Sequence, residues 1–344
     1  SVPAGFLMPW RWYRESAIAD PAAWPTSPYV LAVELFDHLR GPSRFGSRFP
    51  TRQAAIDAVH DFFYRGEIAR KIDTFSKANG GLLRYEDMAA FKLQPEEPVS
   101  TTFKGYRVYK NGFWTQGPAM LETLNILEGF EDQPGFNSPT YIHRVTEAMK
   151  LAYADRDTYY GDPKFNKIPS DVLLSKEYAK ERAKLIAPQQ AQRGFVAGNP
   201  LPYDSKVKEW KYWVANIADE PKTTTVAFNA DVISGSVKDT THISVIDKDG
   251  NMFDATPSGG WIGGGVILGN TGIAMSVRGE QFWLDKTKAA QLRPRSRPRY
   301  TLTPGLVMKN GQPFMALGSP GGATKLGKTS NDPEYVRNLP PQEH

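Results

Sequence analysis

The spacing of apolar and polar positions divides the chain into a helical first part and a strand-rich last third. The first 27 residues lack a period and are predicted to be irregular. Apolar residues then recur mainly at helical spacing, whereas strand patterns and glycine-rich turns dominate from Thr223 onward. Residues 187–222 lose periodicity and are interpreted as an exposed linker. Helices followed by strands favour α+β layers over a repeating βαβ sheet.

Residues typical of helix starts and stops delimit the helices of the first part. The clearest helix begins with Ser138 as its cap and Pro139 in its first turn, and Ile142 lies on its predicted apolar stripe. Another stripe, starting at Met120, predicts a helix over 117–130. Further helices are predicted over 27–42, as two segments within 51–81 ended by Asn79-Gly80-Gly81, and at two capping serines, Ser170 and Ser175.

Two stretches alternate with the period of a β-hairpin. "PVSTTFKGYRVYKNG" turns at Lys104-Gly105, and "TTHISVIDKDGNMFDA" turns at its Asp-Gly pair. In the second hairpin a strand is expected over Thr240 to Ile246, with Thr241 facing one side and His242 the other. As structure alone, His242 is interpreted as a packed strand residue.

Composition excludes several classes of chemistry. The chain has 344 residues, a net charge of +5 and no cysteine, so disulfides, a thiol nucleophile and thiolate metal sites are excluded. No apolar run approaches the roughly 18 residues of a membrane span. Its five histidines lack zinc-type spacing, and no G-x-S-x-G motif is present. Because the chain opens "SVPAGFLMPW" without a methionine, we interpret it as processed or truncated.

Two motifs invite functions that their surroundings disfavour. "GATKLGKT" matches a phosphate loop, but the following "SNDPEYVRNLPPQEH" leaves no room for the required helix and crossover. "RPRSRPR" at 293–299 is basic, yet its prolines prevent a helix from entering a nucleic-acid groove. A solvated or substrate-facing loop is the prediction there. The glycines of "SGGWIGGG" and "GSPGG" fit tight turns or backbone donors to an oxyanion equally well.

Many segments, taken in order, resemble the γ-glutamyltransferase family. The match extends from about Phe63 to Ala323. Segments similar to the family's large subunit are "FYRGEIARKI", "NGGLLRYEDMAAFK", "FKGYRVY", "LNILEGFE", "EAMKLAYADRDTYYGDP" and "LLSKEYAKERAKLI". Segments similar to its small subunit are "TTHISVIDKDGNMF", "RPRYTLTPGLVMKNG" and "GSPGG". The resemblance implies an N-terminal-nucleophile hydrolase with an αββα sandwich and a precursor that cuts itself.

By this resemblance, cleavage of the Asp239–Thr240 bond makes Thr240 a new N-terminus and the nucleophile. Its free α-amine, with a pKa near 7.7–8, then serves as the base for its own hydroxyl. Thr241 and His242 support the site from the strand. Other positions carried over are Gly321 and Gly322 as oxyanion donors, and Thr256 and Ser258 as hydroxyls that assist cleavage and orient the nucleophile.

Three departures from the family pattern bear on the substrate. Trp283 stands where the family has a carboxylate for the substrate's α-amino group, and Gly260 stands where it has a binding asparagine. Tyr300-Thr301 replace a Ser-Ser pair that grips the α-carboxylate. The pattern resembles a branch that includes cephalosporin-acylase-type enzymes, leaving Arg278 and Glu280 as polar candidates for substrate contact.

The resulting prediction is an amidohydrolase or acyltransferase with a helical large part, 1–239, and a strand-rich small part, 240–344. Its substrate is a γ-glutamyl or related amide, and its acceptor is water or an amine. The resemblance implies no metal or organic cofactor, two subunits from one precursor, and a periplasmic or secreted location. No nucleic acid or membrane span is expected. The alternatives are a glutaryl- or cephalosporin-type acylase and an inactive homologue with a binding or structural role.

Overall fold

The structure is a computed structural model that describes residues 51–92, 95–194, 196–203, 240–259, 266–273, 275–276 and 278–318. These residues form two compact units, of which one combines residues up to Pro95 with 259–276 and the other contains the rest. The helix predicted over 27–42, the irregular start and residues 204–239 lie outside the described residues.

The first unit confirms the two helical segments expected near its start. Helix α1 spans Arg52–Tyr64, α2 spans Glu67–Ala78, and the short α3 spans Tyr85–Ala89. The side chain of Thr51 caps α1 by accepting a hydrogen bond from Ala54 N, and α2 ends at Asn79 as predicted.

The second unit contains four α-helices among its described residues. They are α4 at Gly117–Glu128, α5 at Pro139–Tyr159, α6 at Ser170–Leu173 and α7 at Lys176–Ala183. The caps at Ser138 and Ser175 are confirmed, since each side chain accepts a backbone N–H three residues later. The cap at Ser170 is wrong, because Pro169 precedes that short helix and no side chain caps it. None of the described helices combines the length and apolarity needed to cross a bilayer.

The apolar stripes predicted for α4 and α5 are only partly correct. Met120 and Ile142 are 37% and 50% exposed, whereas Leu121 and Ile126 of α4 are buried. Helix α4 packs against α5 and α7 and also against strands β1 and β2, which span Val99–Phe103 and Tyr106–Lys110. Because it is enclosed by helices and sheet, α4 buries polar positions that a one-sided stripe would expose.

The exposed linker predicted over 187–222 is correct for residues 187–191, which are exposed, and wrong near Gly198. Gly198 is buried, and its N–H donates to Asp155 Oδ1 at 2.6 Å while its carbonyl accepts from Tyr159 Oη at 2.7 Å. A 3₁₀ turn at Leu201–Tyr203 follows. Hydrogen bonds of an irregular backbone to buried side chains fix this segment without any periodic pattern in its sequence.

A four-stranded antiparallel sheet combines β1 and β2 with two later strands, β5 at Gly305–Lys309 and β6 at Gln312–Leu317. The strand order is β1-β2-β5-β6. The predicted β1–β2 hairpin is confirmed, with Lys104 and Gly105 both at positive φ as its tight turn requires. A separate two-stranded sheet is formed by β3, Ile243–Ile246, and β4, Met252–Ala255.

The faces of the four-stranded sheet divide by the alternation of its side chains. Val108 and Val307 form a buried cluster with Leu121 of α4. Their neighbours Tyr109 and Leu306 point to the opposite face by the same alternation, where they line a cleft of ≈ 340 Å³ together with Met252 and Asp254 of β4 and others. Helices therefore cover one face and the β3–β4 hairpin approaches the other.

Candidate active site

The β3–β4 hairpin holds Thr240 immediately before its first strand. The strand begins at Ile243 rather than at Thr240 as predicted, and the hairpin closes through the loop between Ile246 and Met252. Asp247 organises that loop by accepting from Asp249 N and Asn251 N, both at 2.9 Å. Beyond the paired residues, Thr241 N still donates to Pro257 O at 3.1 Å, so the two chain segments stay side by side at the site.

Thr240 and Ser258 meet across this junction. Their hydroxyl oxygens are 2.8 Å apart, and both residues are half-buried. Arg278 Nη2 donates to Ser258 Oγ from the other side. Since a guanidinium can only donate, Ser258 Oγ accepts there. In its contact with Thr240 Oγ1 either hydroxyl can be the donor. The Ser258 hydroxyl and the Arg278 charge behind it can stabilise negative charge that develops on the threonine oxygen.

Arg278 is held in place by Gln281 and by Thr301, one of the two residues predicted to replace a serine pair. It opens a 3₁₀ turn, Arg278–Gln281, and its Nη1 donates to Thr301 Oγ1 at 3.2 Å. The hydrogen-bond network orients the Gln281 amide so that its oxygen accepts from Arg278 Nη1 at 2.7 Å. Thr301 is fixed in turn, because its carbonyl accepts from Gln116 Nε2 at 2.7 Å. The guanidinium thus has a defined position beside the two hydroxyls.

His242 belongs to a polar network, so its interpretation as a simply packed strand residue is wrong. Its Nδ1 lies 3.1 Å from Thr256 Oγ1, and its Nε2 lies 2.7 Å from Ser244 Oγ and 3.1 Å from Asp254 Oδ1. Asp254 is only 2% exposed, and its second oxygen accepts from Gly305 N at 2.6 Å. The network therefore links Gly305 of the four-stranded sheet to Thr256, which lies two residues before Ser258.

A buried cation accompanies this network. Lys110 is 2% exposed and donates from Nζ to Thr303 O at 2.8 Å. Burial lowers the pKa of Lys110 to about 8, and the negative charge of Asp254 partly opposes that shift. Thr240 is not among the residues that line the cleft beside Lys110 and Asp254.

Of the other residues predicted to bind substrate, Tyr300 and Trp283 can be described by their contacts. Tyr300 packs edge-on against Trp114, with ring centroids 5.6 Å apart, and burial raises the pKa of its hydroxyl. The ring of Trp283 lies 5.9 Å from the guanidinium carbon of Arg299 and 5.8 Å from Lys288 Nζ. The side chain of Glu280 and the residues Gly260, Gly321 and Gly322 lie outside what the structure describes.

The basic loop at 293–299 is tied into the helical part at Arg297 and Arg299, so the prediction of a solvated loop is only partly correct: Arg295 is exposed. Arg297 pairs with Asp162 at 3.1 Å, and Arg299 pairs with Asp157. The pKa of the Asp157 carboxyl is lowered despite its burial, because Arg156 and Arg299 both face it. Two charges of this loop therefore compensate carboxylates of the helical part, the buried Asp162 and the partly buried Asp157.

Sequence reasoning missed Asp254, Lys110 and Gln281. The signal for Asp254 was available, because a loop centred on Asp249 pairs Ser244 with Asp254 and brings His242 opposite Thr256. The position of Lys110 depends on pairing between distant strands, which a single sequence does not reveal. No group of three or more histidine, aspartate or glutamate side chains suited to a metal ion occurs among the described residues.

Comparison with known proteins identifies the family. The γ-glutamyltranspeptidase family model matches residues 55–330. The chain belongs to the γ-glutamyltranspeptidase family. It is 32% identical over 298 residues to the glutathione hydrolase proenzyme of Escherichia coli, covering 81% of this chain and 46% of that protein. It is 34% identical over 285 residues to the glutathione hydrolase-like YwrD proenzyme of Bacillus subtilis, covering 80% and 47%.

Similarity to a solved structure supports the fold. The crystal structure of cephalosporin acylase from Bacillus halodurans superposes with a TM-score of 0.60 at 32% identity, covering 79% of this chain and 43% of that one. The predicted α+β fold of the N-terminal-nucleophile hydrolases and the resemblance on which it depended are confirmed. The chain spans about half the length of the curated relatives it matches.

Proposed function

We propose that this γ-glutamyltranspeptidase-family chain is an amidohydrolase or acyltransferase that uses Thr240 as its nucleophile. The observation that carries this proposal is the contact of Thr240 Oγ1 with Ser258 Oγ at 2.8 Å, with Arg278 donating to the same serine. A hydroxyl that faces a second hydroxyl and a fixed cation can lose its proton more readily than an isolated threonine.

Activation requires the bond between Asp239 and Thr240 to break. In the proposed step the Thr240 oxygen attacks the carbonyl carbon of Asp239, the amide nitrogen leaves with a proton, and water hydrolyses the resulting ester. The released α-amine of Thr240 then accepts protons from its own hydroxyl. The products correspond to parts 1–239 and 240–344, which we propose as the two subunits.

Turnover on a substrate repeats the same chemistry. Thr240 Oγ1 attacks the amide carbonyl, its α-amine passes the proton to the leaving amine, and an acyl ester remains on the threonine. Water or an acceptor amine then attacks the ester and returns the proton to Thr240. We assign Gly321 and Gly322 as backbone donors to the oxyanion. Loss of one such donor typically lowers the rate by about 10²–10³-fold.

Arg278 and Trp283 bear on the acyl group. Arg278 presents a fixed positive charge one hydroxyl away from Thr240, which suits an acyl group that ends in a carboxylate. Trp283 replaces the carboxylate that would hold a γ-glutamyl amine. These two features support a second candidate function, a glutaryl- or cephalosporin-type acylase with little transferase activity. Activity on γ-glutamyl amides is the first candidate.

The first experiment is an intact mass measurement of the full chain under denaturing conditions, with Thr240→Ala beside it. Two fragments that break between Asp239 and Thr240 in the unaltered chain, and one uncut chain in the variant, are expected. A single uncut chain in both samples would contradict the nucleophile and leave a binding or structural homologue.

The second experiment compares two chromogenic anilides, one γ-glutamyl and one glutaryl. They differ only in the α-amino group, so preference for the glutaryl compound favours the acylase and preference for the other favours γ-glutamyl transfer. No turnover of either compound by correctly cut protein would contradict the proposed activity.

A further inference from the structure

The buried side-chain carboxylate of Asp254 has three polar partners, none of which is needed for the backbone pairing of its strand. Its side chain is 2% exposed and accepts hydrogen bonds from Gly305 N and Ser244 Oγ, each at 2.6 Å. It also lies 3.1 Å from His242 Nε2. A buried charge is unfavourable unless its lone pairs are satisfied, so this set of donors defines one orientation of the carboxylate.

This orientation fixes the tautomer of His242. Ser244 Oγ donates its proton to Asp254 Oδ1, so both oxygens face His242 Nε2 as acceptors, at 2.7 Å and 3.1 Å. The neutral imidazole therefore places its proton on Nε2. Nδ1 is then an acceptor, and Thr256 Oγ1, 3.1 Å away, donates to it. The proton positions are assigned here from the network of partners.

The same contacts extend to the nucleophile. Three consecutive residues after β4 are each tied to a residue before β3. Thr256 contacts His242, Pro257 O accepts from Thr241 N, and Ser258 Oγ lies 2.8 Å from Thr240 Oγ1. A shift of Thr256 therefore moves Ser258, which is two residues further along the same backbone.

The backbone at Gly318 lies close to the His242 ring and limits its movement. A Cβ atom at Gly318 would lie 2.2 Å from His242 Cε1 and 2.5 Å from Nδ1, so only glycine allows this approach. Gly318 follows β6 and is the first residue of "GSPGG". The ring is thus enclosed by the hairpin on one side and by this backbone on the other.

We propose that Asp254 and His242 are positioning residues for Thr240: Asp254 holds the proton of His242 on Nε2, and Nδ1 then anchors Thr256 so that Ser258 meets the nucleophile. This inference rests on the proposed function, because it assigns these side chains a role in placing the Thr240 hydroxyl. Neither residue touches the reacting atoms in this arrangement.

The ring itself gives the first test. In protein labelled with ¹⁵N-histidine, and with His242 assigned by the spectrum of His242→Gln, the shifts should show a protonated Nε2 and an unprotonated Nδ1. This measurement uses the unaltered chain and does not depend on Thr240 acting as a nucleophile. A ring protonated mainly on Nδ1 would overturn the proposal.

Asp254→Asn gives the second test, because it should reverse the tautomer. Gly305 N requires an acceptor, so the asparagine oxygen stays there and its NH₂ group faces His242 Nε2. The ring proton then moves to Nδ1, so the hydrogen bond with Thr256 Oγ1 reverses and the Thr256 hydroxyl must turn to accept instead of donate. We expect kcat to fall by about 10–100-fold with little change in KM. This fall is smaller than the roughly 10⁴-fold loss seen when the tautomer changes on a histidine that itself contacts the nucleophile.

Asp249→Asn is the matched control, since it makes the same change on the exposed turn of the same hairpin, where Asp249 Oδ1 faces only Lys248 among the described side chains. Its kcat should equal that of the unaltered chain. Circular dichroism confirms that each variant is folded; if Asp254→Asn does not fold, the ring measurement on the unaltered chain decides.

The two proposals can fail separately. If Thr240→Ala abolishes activity while Asp254→Asn reverses the tautomer and keeps kcat, the positioning role is wrong and the proposed nucleophile stands. If Thr240→Ala retains activity, the proposed function is wrong, and the positioning role, which rests on it, falls with it.

Discussion

The helical core and the β3–β4 hairpin both bury a carboxylate, but the two networks end differently. In the core, Asp155 accepts from Tyr178 Oη at 2.9 Å and pairs with Arg182 at 3.3 Å, and every partner is itself buried. In the hairpin, the network of Asp254 leads outward to the half-buried Thr240. We therefore interpret a buried charge as a sign of function only where its network leads to a polar group that is partly exposed, as at Thr240.

The pKa values of the core carboxylates illustrate this point. Burial and the charge of Asp155 raise the pKa of Glu122 well above its ordinary value, and Tyr160 Oη donates to Glu122 Oε1 at 2.5 Å. Perturbed carboxylates of this kind are often taken as candidates for catalysis. Here the surrounding helices enclose them, so we interpret the core network as structural.

The largest predicted effect breaks the core network. Arg182→Met leaves the charge of Asp155 without its cation and removes a hydrogen bond to Val196 O. We expect the free energy of unfolding to fall by about 3–5 kcal/mol, the usual result of breaking one side of a buried pair. Urea titration measures it, with the exposed pair of Lys184 and Glu181 as control, where Lys184→Ala should cost less than about 1 kcal/mol. Equal losses would contradict the comparison.

Lys110→Met examines the cation beside Asp254. The pKa of Lys110 is about 8 in the folded chain against 10.5 ordinarily, so the unfolded chain holds more protons between these values. Stability of the unaltered chain should therefore rise, on the order of 3 kcal/mol, as pH increases from 8 to 10.5, and Lys110→Met should lack this rise. Unfolding at pH 7, 8.5 and 10 measures it, with exposed Lys309→Met as control. Parallel curves for Lys110→Met and the unaltered chain would contradict the prediction.

Arg278→Gln tests whether the cation beside Ser258 recognises the acyl group of the substrate. If Arg278 binds a carboxylate of the acyl group, kcat/KM for a glutaryl anilide should fall by about 10–100-fold, the effect of losing a hydrogen bond to a charged group. An uncharged valeryl anilide should lose much less, so the ratio of the two substrates is the readout. An unchanged ratio would remove Arg278 from substrate recognition.

The smallest predicted effect concerns the helix that carries Asp155. Ser138→Ala removes the hydrogen bond to Tyr141 N and should cost about 1 kcal/mol of stability. Ser170→Ala is the matched control, because Ser170 does not cap its helix and should change stability by less than about 0.5 kcal/mol. Thermal unfolding compares the two variants. A loss at Ser170 as large as at Ser138 would show that capping is not the cause.

Local patterns predicted the elements of this fold well, because caps, turns and periodicity act within a few residues. The stop at Asn79, the cap at Ser138 and the turn at Lys104-Gly105 are all local in this sense. The exposure of Met120 and the packing of Gly198 were missed, since they depend on which distant elements enclose them.

The candidate site shows the same division. The resemblance identified Thr240, Ser258 and Arg278, and the structure brings these three together. Asp254 needed the register of a hairpin to be worked through, and Lys110 needed the pairing of β2 with β5. Side chains that position others leave no motif of their own, because their roles follow from three-dimensional contacts.

The pairing of β2 with β5 has a consequence for the assembled protein. Five residue pairs, from Tyr106 with Lys309 to Lys110 with Gly305, join strands from the two sides of the proposed cut. After cleavage, unfolding would release two molecules instead of one, so the midpoint temperature would rise with protein concentration. In the uncut Thr240→Ala variant it would be independent of concentration. The same ladder would then serve as the interior of one polypeptide before the cut and as a subunit interface after it.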